Sequence, residues 1–231
     1  SPKIFFDKKF NTLKSRTSVG LDFDFWKYKI KTTSSFGGVD VDGTQSNKGI
    51  FMKNILSDEK HKFISGIRLQ DQSFSFDNLS TSSASSTIND TSMNNSYEIG
   101  YERVINKNLE FYSNLNKSYR HRNFNDSFNL FSGEFIDLLD QESKAINLGL
   151  SFFKNNLTQR ISIFQIDTKN EIHLDPVSGA NENYPESRRH GIDYTYDYQS
   201  DRYSFKINYL HLRANFIQGI INTDLIDKEV P

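Results

Sequence analysis

Two stretches near the end of the chain decide the fold: Ile192-Asp193-Tyr194-Thr195-Tyr196-Asp197-Tyr198, and then Tyr203-Ser204-Phe205-Lys206-Ile207-Asn208-Tyr209. In both, every second residue is apolar or aromatic, and the residues between are Asp, Thr, Ser, Lys or Asn. Successive side chains of a strand point to opposite faces, so each stretch is a ribbon with one apolar and one polar face. Upstream, Ile146, Leu148, Leu150 and Phe152 alternate with Ala145, Asn147, Gly149 and Ser151. Val19, Leu21, Phe23 and Phe25 alternate with Gly20, Asp22 and Asp24. There the apolar parity changes, and a tight reversal near Trp26 is expected, with Tyr28 and Ile30 then alternating with Lys27, Lys29 and Lys31. Some runs are mixed: residues 50–56 and 161–166 carry apolar residues on both parities, and the parity switches again after Leu210. A bulge, or a strand leaving the membrane, accounts for such breaks.

Composition narrows the class. The chain has 231 residues, a formal net charge of −1, 35% hydrophobic residues and 14% aromatics, with 20 Phe and 11 Tyr. A near-neutral charge with no Lys/Arg cluster gives no footprint for nucleic acid. So many rings argue against disorder, and no apolar run approaches the ~20 residues of a membrane helix. A β-barrel hides its membrane signal, because only alternate residues face lipid. Cysteine is absent, which excludes disulfides and thiolate metal sites. Residues 1–6 lack the pattern of a secretory leader, and a final Pro cannot donate to a ladder, so both ends are expected to be internal to a longer protein.

The connections alternate in length. Short polar ones are expected at residues 24–27, 57–60, 106–108, 154–156 and 199–202. Long ones are expected at 37–47, 77–95, 121–141 and 170–188 and after 218, with the Ser/Thr-rich run 80–87 as a mobile external loop. Tight turns at one rim and long loops at the other are the plan of an antiparallel transmembrane meander. The expected fold is therefore all-β: an incomplete barrel of about ten strands, many near the roughly 9–11 residues that cross a bilayer, with short periplasmic turns and long extracellular loops. Tyr28, Tyr97, Tyr119, Tyr198 and Tyr203 near run ends suit interfacial girdles. Charges on the polar parity, among them Asp22, Asp24, Lys27, Lys29, Lys31, Glu98, Glu102, Asp193, Asp197 and Lys206, suit a hydrated lumen. A soluble β-sandwich also alternates and stays open as an alternative.

The segment Tyr112-Ser113-Asn114-Leu115-Asn116-Lys117-Ser118-Tyr119-Arg120-His121-Arg122-Asn123-Phe124-Asn125-Asp126 resembles a strand-to-loop stretch of TonB-dependent receptors, where an Arg and a Phe follow an aromatic strand end. In the same order, residues 136–143 resemble that family's "N-P-x-L-x-P-E-x-S", 145–150 its "Y-E-L-G-L", and 188–193 its "R-x-x-G-V-E". Residues 208–216 resemble its "Y-T-Y-x-x-A-x-F", and 230–231 the "V-P" that follows. Asn123 and Gln141 stand where the family usually has Pro. The resemblance implies that residues 1–231 are part of a receptor barrel in the outer membrane of a Gram-negative bacterium, with the plug and final strands elsewhere. It implies active import of a scarce nutrient such as a ferric siderophore, haem or cobalamin, bound in the external loops, with the TonB complex acting through the plug. A passive porin or another outer-membrane barrel is the alternative, and less so a soluble all-β binding module.

No catalytic set is present: no Ser sits in G-x-S-x-G, and the five His lack metal-ligand spacing. Neither a resident cofactor nor a protein metal site is expected. Asp40-Val41-Asp42-Gly43 starts like a calcium loop but lacks the later ligands. The expected ligand contacts are Tyr119, Arg120, Arg122 and Phe124 at one loop base, and Tyr184, Arg188 and Arg189 at another. Arg suits an anionic chelate and aromatic rings a planar ligand. The opposing expectation is that these Arg pair with lumen carboxylates and hold the loops in place.

Overall fold

The computed structural model describes residues 2–34, 37–78, 86–129, 134–175 and 178–218. In chain order come β1 (Lys3–Phe10), β2 (Leu13–Ser34), β3 (Gly37–Ser57), β4 (His61–Asn78), β5 (Ser86–Asn106) and β6 (Leu109–Arg120). A helical turn α1 (Phe124–Ser127) and a small pair, β7 (Phe128–Asn129) and β8 (Glu134–Phe135), follow. Then come β9 (Gln141–Lys154), β10 (Leu157–Lys169), a hairpin of β11 (Glu171–Leu174) and β12 (Asn181–Tyr184), β13 (Glu186–Gln199) and β14 (Ser204–Gln218). The ten long strands form one antiparallel sheet whose neighbours follow chain order, and β1 and β14 are its two edges. At the tight rim, Asn11 and Asn155 take φ of 54° and 51°, the left-handed region that Asn tolerates in turns.

One face of this sheet carries the large apolar side chains, and among the described residues no second layer covers it. Leu148 is 37% exposed, Phe205 54% and Ile163 55%, and Leu21, Phe23, Ile50, Met52, Ile67 and Ile99 are exposed on the same face. The register aligns them across strands: Leu21 opposite Ile50, Ile50 opposite Leu69, Leu150 opposite Ile161, and Tyr196 opposite Ile207. A soluble protein does not leave so wide an apolar face in water. Lipid covers it, and the sandwich alternative is removed.

The expected reversal near Trp26 does not occur. β2 runs through it for 22 residues and pairs without a break with the 21-residue β3, so residues 37–47 are strand and not loop. What changes at Trp26 is the polarity of the two faces. Below it the outer face holds Leu21, Phe23 and Phe25, and the inner face Asp22 and Asp24. Above it the outer face holds Lys27, Lys29 and Lys31, and the inner face Trp26, Tyr28 and Ile30. These lysines therefore lie outside the sheet and not in the lumen; Lys29 and Lys31 pair with Asp42 and Asp40 across β3, at 3.3 and 3.2 Å. The same inversion crosses β4 and β5. Ile67 and Leu69 give way outside to Asp71, Ser73 and Ser75, while Arg68 and Gln70 give way inside to Phe74 and Phe76. Residues 86–95 belong to β5, which corrects the expected long loop at 77–95; residues 79–85, with most of the Ser/Thr-rich run, and the tail after 218 lie outside the described residues. A strand of 22 residues rises about 70 Å, well over what a bilayer needs, so β2–β5 continue beyond the lipid as a wall with water outside.

The mixed parities have a common cause. Phe51 faces Gly20, Phe76 faces Gly43, Tyr112 faces Gly149 and Phe164 faces Gly191, each pair in register across neighbouring strands. A Cβ at Gly43 would meet the Phe76 ring at 2.2 Å. An inner-face ring thus lies over a glycine and shields its backbone. After Leu210 the pairing with β13 is unbroken, and the shift in that pair sits at Glu186/Ser187.

The connection after β6 folds inward onto this upper wall. Phe124 stacks on Tyr28 at 5.2 Å, on Phe128 at 5.3 Å and against Phe76 at 4.7 Å, and Phe74 with Val41 completes a buried cluster. The Asn123 side chain and the Asp126 carboxylate cap each other's backbone N–H, closing α1. Polar contacts finish the anchor: Asp140 sits 3.0 Å from His121 Nδ1, accepts the Arg122 backbone N–H at 3.0 Å, and bonds to Asn94. The β11–β12 hairpin is tied to the same loop by asparagines. Asn183 accepts from Leu139 N–H and donates to the Leu139 and Asn170 carbonyls, and Asn181 donates to the Asp126 carbonyl at 3.0 Å.

Two outcomes are expected. On β14, Ile207→Arg places a cation in lipid and should lower barrel stability in bilayers by about 2–4 kcal/mol, whereas its inner-face neighbour Asn208→Arg should change it little; unfolding of the full-length receptor from vesicles measures both. The Asp140 carboxyl is pushed up by burial, but hydrogen bonds from His121, the Arg122 backbone and Ser92 outweigh this and hold it at about 2. A folded pKa below the unfolded one adds stability above about pH 4 that is lost as pH falls through about 2, here roughly 2 kcal/mol. The protection factor of the Arg122 amide, its exchange rate referred to the intrinsic rate at the same pH, should therefore fall roughly 30-fold in Asp140→Asn, and fall in the parent protein on acidification over that window.

Candidate ligand-binding site

Where the inner face changes from charged to aromatic, the sheet and the inward loop border an open cavity of about 610 Å³. Its sheet wall is built by alternation: Trp26 and Tyr28 from β2, Gln45 and Asn47 from β3, Gln70 and Gln72 from β4, all two residues apart and so on one face. The roof comes from the chain leaving β6: Tyr119, His121, Asn123 and Asn125. Beneath it, sharing Arg68, Ser96 and Ser118, lies a second cavity of about 470 Å³ among charged residues. There Arg68 pairs with Asp22 and Lys53 with Glu98 at 3.0 Å, while Lys3 lies over the Phe51 ring. The inner face is thus amide-rich above and ionic below, with cations in excess.

Several polar groups of the upper cavity are satisfied within the chain. Gln70 Oε1 accepts from Arg68 Nη2 at 2.7 Å and from the Tyr119 hydroxyl at 2.9 Å. Others have no partner among the described residues: both ends of the Gln72 amide, Asn47 Oδ1 and His121 Nε2. Gln72 is 1% exposed, so its amide is removed from bulk water. Buried polar atoms are nearly always hydrogen-bonded, and these four lie on residues that line the cavity.

The expected contact residues fall into two groups. Tyr119 reaches the cavity even though β6 has left β5 after Lys117. Arg120 holds Asp126 through two bonds, at 2.8 and 3.0 Å. Arg122 is buried, pairs with Asp90, and lies over the Phe74 ring at 5.5 Å. Phe124 is in the aromatic cluster under the roof. Tyr184, Arg188 and Arg189 gather instead around β10–β13. Tyr184 stacks on His173 at 4.5 Å, Arg188 bonds Asp167 at 2.7 and 2.9 Å, and Arg189 bonds Glu171 at 2.7 and 2.9 Å. Burial opposes ionisation of Glu171, yet the bonds from Arg189 and Ser187 keep its carboxyl below the usual glutamate range. All four arginines are thus engaged with carboxylates of the same chain. Sequence reasoning missed Trp26, Gln45, Asn47, Gln70 and Gln72. The first three fell on a supposed turn and loop, and the available signal was that they share one strand parity.

The chain matches the family model described as TonB dependent receptor-like, beta-barrel, over residues 3–230. No curated protein matches it in sequence. Among solved structures it is similar to the ferric citrate transporter FecA in the unliganded form, with a TM-score of 0.74 and 12% identity over 100% of this chain and 36% of that one. The copper transporter OprC gives a TM-score of 0.72 with 15% identity, over 99% of this chain and 38% of that one. The ferric-catecholate import receptor Fiu of E. coli K12 gives 0.71 with 13% identity, over 98% of this chain and 39% of that one. The chain therefore spans less than half the length of these neighbours. With ten antiparallel strands, a lipid-facing apolar band and a family match along nearly its whole length, the chain belongs to the TonB-dependent receptor β-barrel family, outer-membrane proteins of Gram-negative bacteria.

Proposed function

We propose that this chain forms part of the transport barrel of a receptor that captures a scarce small-molecule nutrient outside the cell and passes it through the outer membrane. The family likeness carries the range of ligands, ferric siderophore, haem or cobalamin, and the energy source, a TonB complex acting on a plug supplied by the rest of the parent protein. The observation that supports this reading is the cavity on the inner face beneath the inward loop, at the level where the wall rises out of the lipid, lined by amides and aromatic rings. Capture there needs no bond chemistry from the protein: the site desolvates and orients, and the cation-rich cavity beneath continues the inner face towards the periplasmic rim. In this reading Tyr119 is a direct contact. Arg120, Arg122 and Phe124 hold the roof, Tyr184 and Arg189 hold the hairpin beside it, and Arg188 ties β13 to β10 through Asp167, each through the ion pair or ring contact it makes.

The test uses cells carrying the full-length gene, grown with one limiting source of iron, haem or cobalamin. Receptor-dependent uptake of the labelled nutrient, followed over minutes, should disappear with a protonophore, and should fall at least about fivefold for Tyr119→Phe at unchanged surface level, since leaving a bound polar group unpaired costs upwards of about 1 kcal/mol. Uptake indifferent to both the protonophore and the substitution would make the barrel a passive pore instead.

A further inference from the structure

We infer that the outer face of β9, β10, β13 and β14, at the upper margin of the apolar band, is a docking site for a phosphorylated glycolipid of the outer leaflet, held through Lys144, His190 and Arg213. The inference concerns the membrane side of the wall and is independent of which nutrient the receptor carries. Three observations carry it.

The first is position. On these four strands the outward residues Ile146, Ile163, Ile192 and Tyr209 are exposed on the lipid face. One outward step further from the periplasmic turns stand Lys144, Gln165, His190 and His211, with Arg213 one step above His211. The register sets Gln165 opposite His190 and His190 opposite Arg213, so these three form one row. Lys144 lies in the next row, opposite Asp167. Lys144, His190 and Arg213 are exposed, and long cationic side chains at the edge of an apolar band reach for headgroups and not for hydrocarbon.

The second is the balance of charge. Above the band, the outward parity of β9, β10 and β13 carries the carboxylates Glu142, Asp167 and Glu186. Each is already taken. Glu142 pairs with Lys117 at 3.1 Å, Asp167 with Arg188 at 2.7 and 2.9 Å, and Glu186 with Lys169 at 3.5 Å. Lys144 and Arg213 make no ion pair among the described residues. A cation left over at the edge of the lipid takes its counter-ion from the membrane, and the anionic group there is phosphate.

The third is spacing. The strand order places two strands between Lys144 on β9 and Arg213 on β14, which sets their backbones about 14 Å apart, three strand spacings. That is wide for a single phosphate and suits a headgroup that carries one at each end. Between the two cations lie Gln165 and His190. Gln165 Nε2 donates to Asp167 at 3.2 Å, so its Oε1 faces outward as an acceptor. The His190 ring carries at least one N–H in every protonation state. Both are partners for the hydroxyls of a sugar backbone set between two phosphates.

The test uses the purified full-length receptor in detergent, stripped of lipid and titrated by native mass spectrometry. The probes are diphosphorylated lipid A, the same lipid with its phosphates removed, and phosphatidylglycerol. Diphosphorylated lipid A should bind at a resolved stoichiometry and about tenfold or more tighter than the dephosphorylated form. Its affinity should fall by about tenfold or more in the double variant Lys144→Gln with Arg213→Gln, both exposed positions. Lys154→Gln, at the periplasmic end of the same outer face of β9, should leave it unchanged. Heat-modifiable gel migration verifies that each variant is folded, and nutrient uptake should be unaltered in all of them, which separates this site from the import reading. Equal binding of the dephosphorylated lipid, or an affinity indifferent to the double variant, overturns the site. Phosphatidylglycerol bound as tightly as lipid A overturns the glycolipid as its occupant.

Discussion

Everything in this structure depends on what each face of the sheet touches, and that changes once along the strands. A single β-ribbon has no way to alter which parity faces outward, because its side-chain period is two and its ladder is continuous. The chain instead changes the residues. Up to Phe25 and Leu69 the outward parity is hydrocarbon and the inward parity charged; from Lys27 and Asp71 the outward parity is polar and the inward parity aromatic. The lipid boundary is thus written twice, once on each face. The inner aromatic patch exists because water, no longer lipid, lies outside, and something must be buried to keep so tall a wall ordered. Phe74, Phe76 and Tyr28 supply one side of that burial and Phe124 and Phe128 the other.

The roof and the cavity follow. Were the upper wall polar on both faces, the chain after β6 would have nothing to pack against and would remain in solvent. Packed as it is, it brings His121 and Tyr119 over the amides of β3 and β4. The aromatic cluster anchors the loop from above and the His121–Asp140 contact from beside, and the cavity lies between them.

The fold was largely legible in the residues, because lipid-facing alternation is a local signal. Ile146 to Phe152, Ile192 to Tyr198 and Tyr203 to Tyr209 each announce a strand without reference to any partner, and four of the five expected turns lie between paired strands. The misreadings share a cause. A parity change at Trp26 looks the same in sequence whether the chain turns or its surroundings change, and only the pairing with β3 separates the two. Above the lipid, strand residues such as Thr87, Asn89 and Thr91 are as polar as any loop. The site was legible only in part, since Tyr119 and its neighbours carry a family pattern, whereas Asn47 and Gln72 are ordinary amides until the register sets them side by side.

The asparagine bridges have a mechanical consequence. Asn183 holds Leu139 by both its backbone groups, and Asn181 reaches the carbonyl of Asp126, so two segments far apart in the chain are coupled as one body. A pull on the hairpin is carried to the inward loop, and neither segment swings away without breaking its hydrogen bonds to the other.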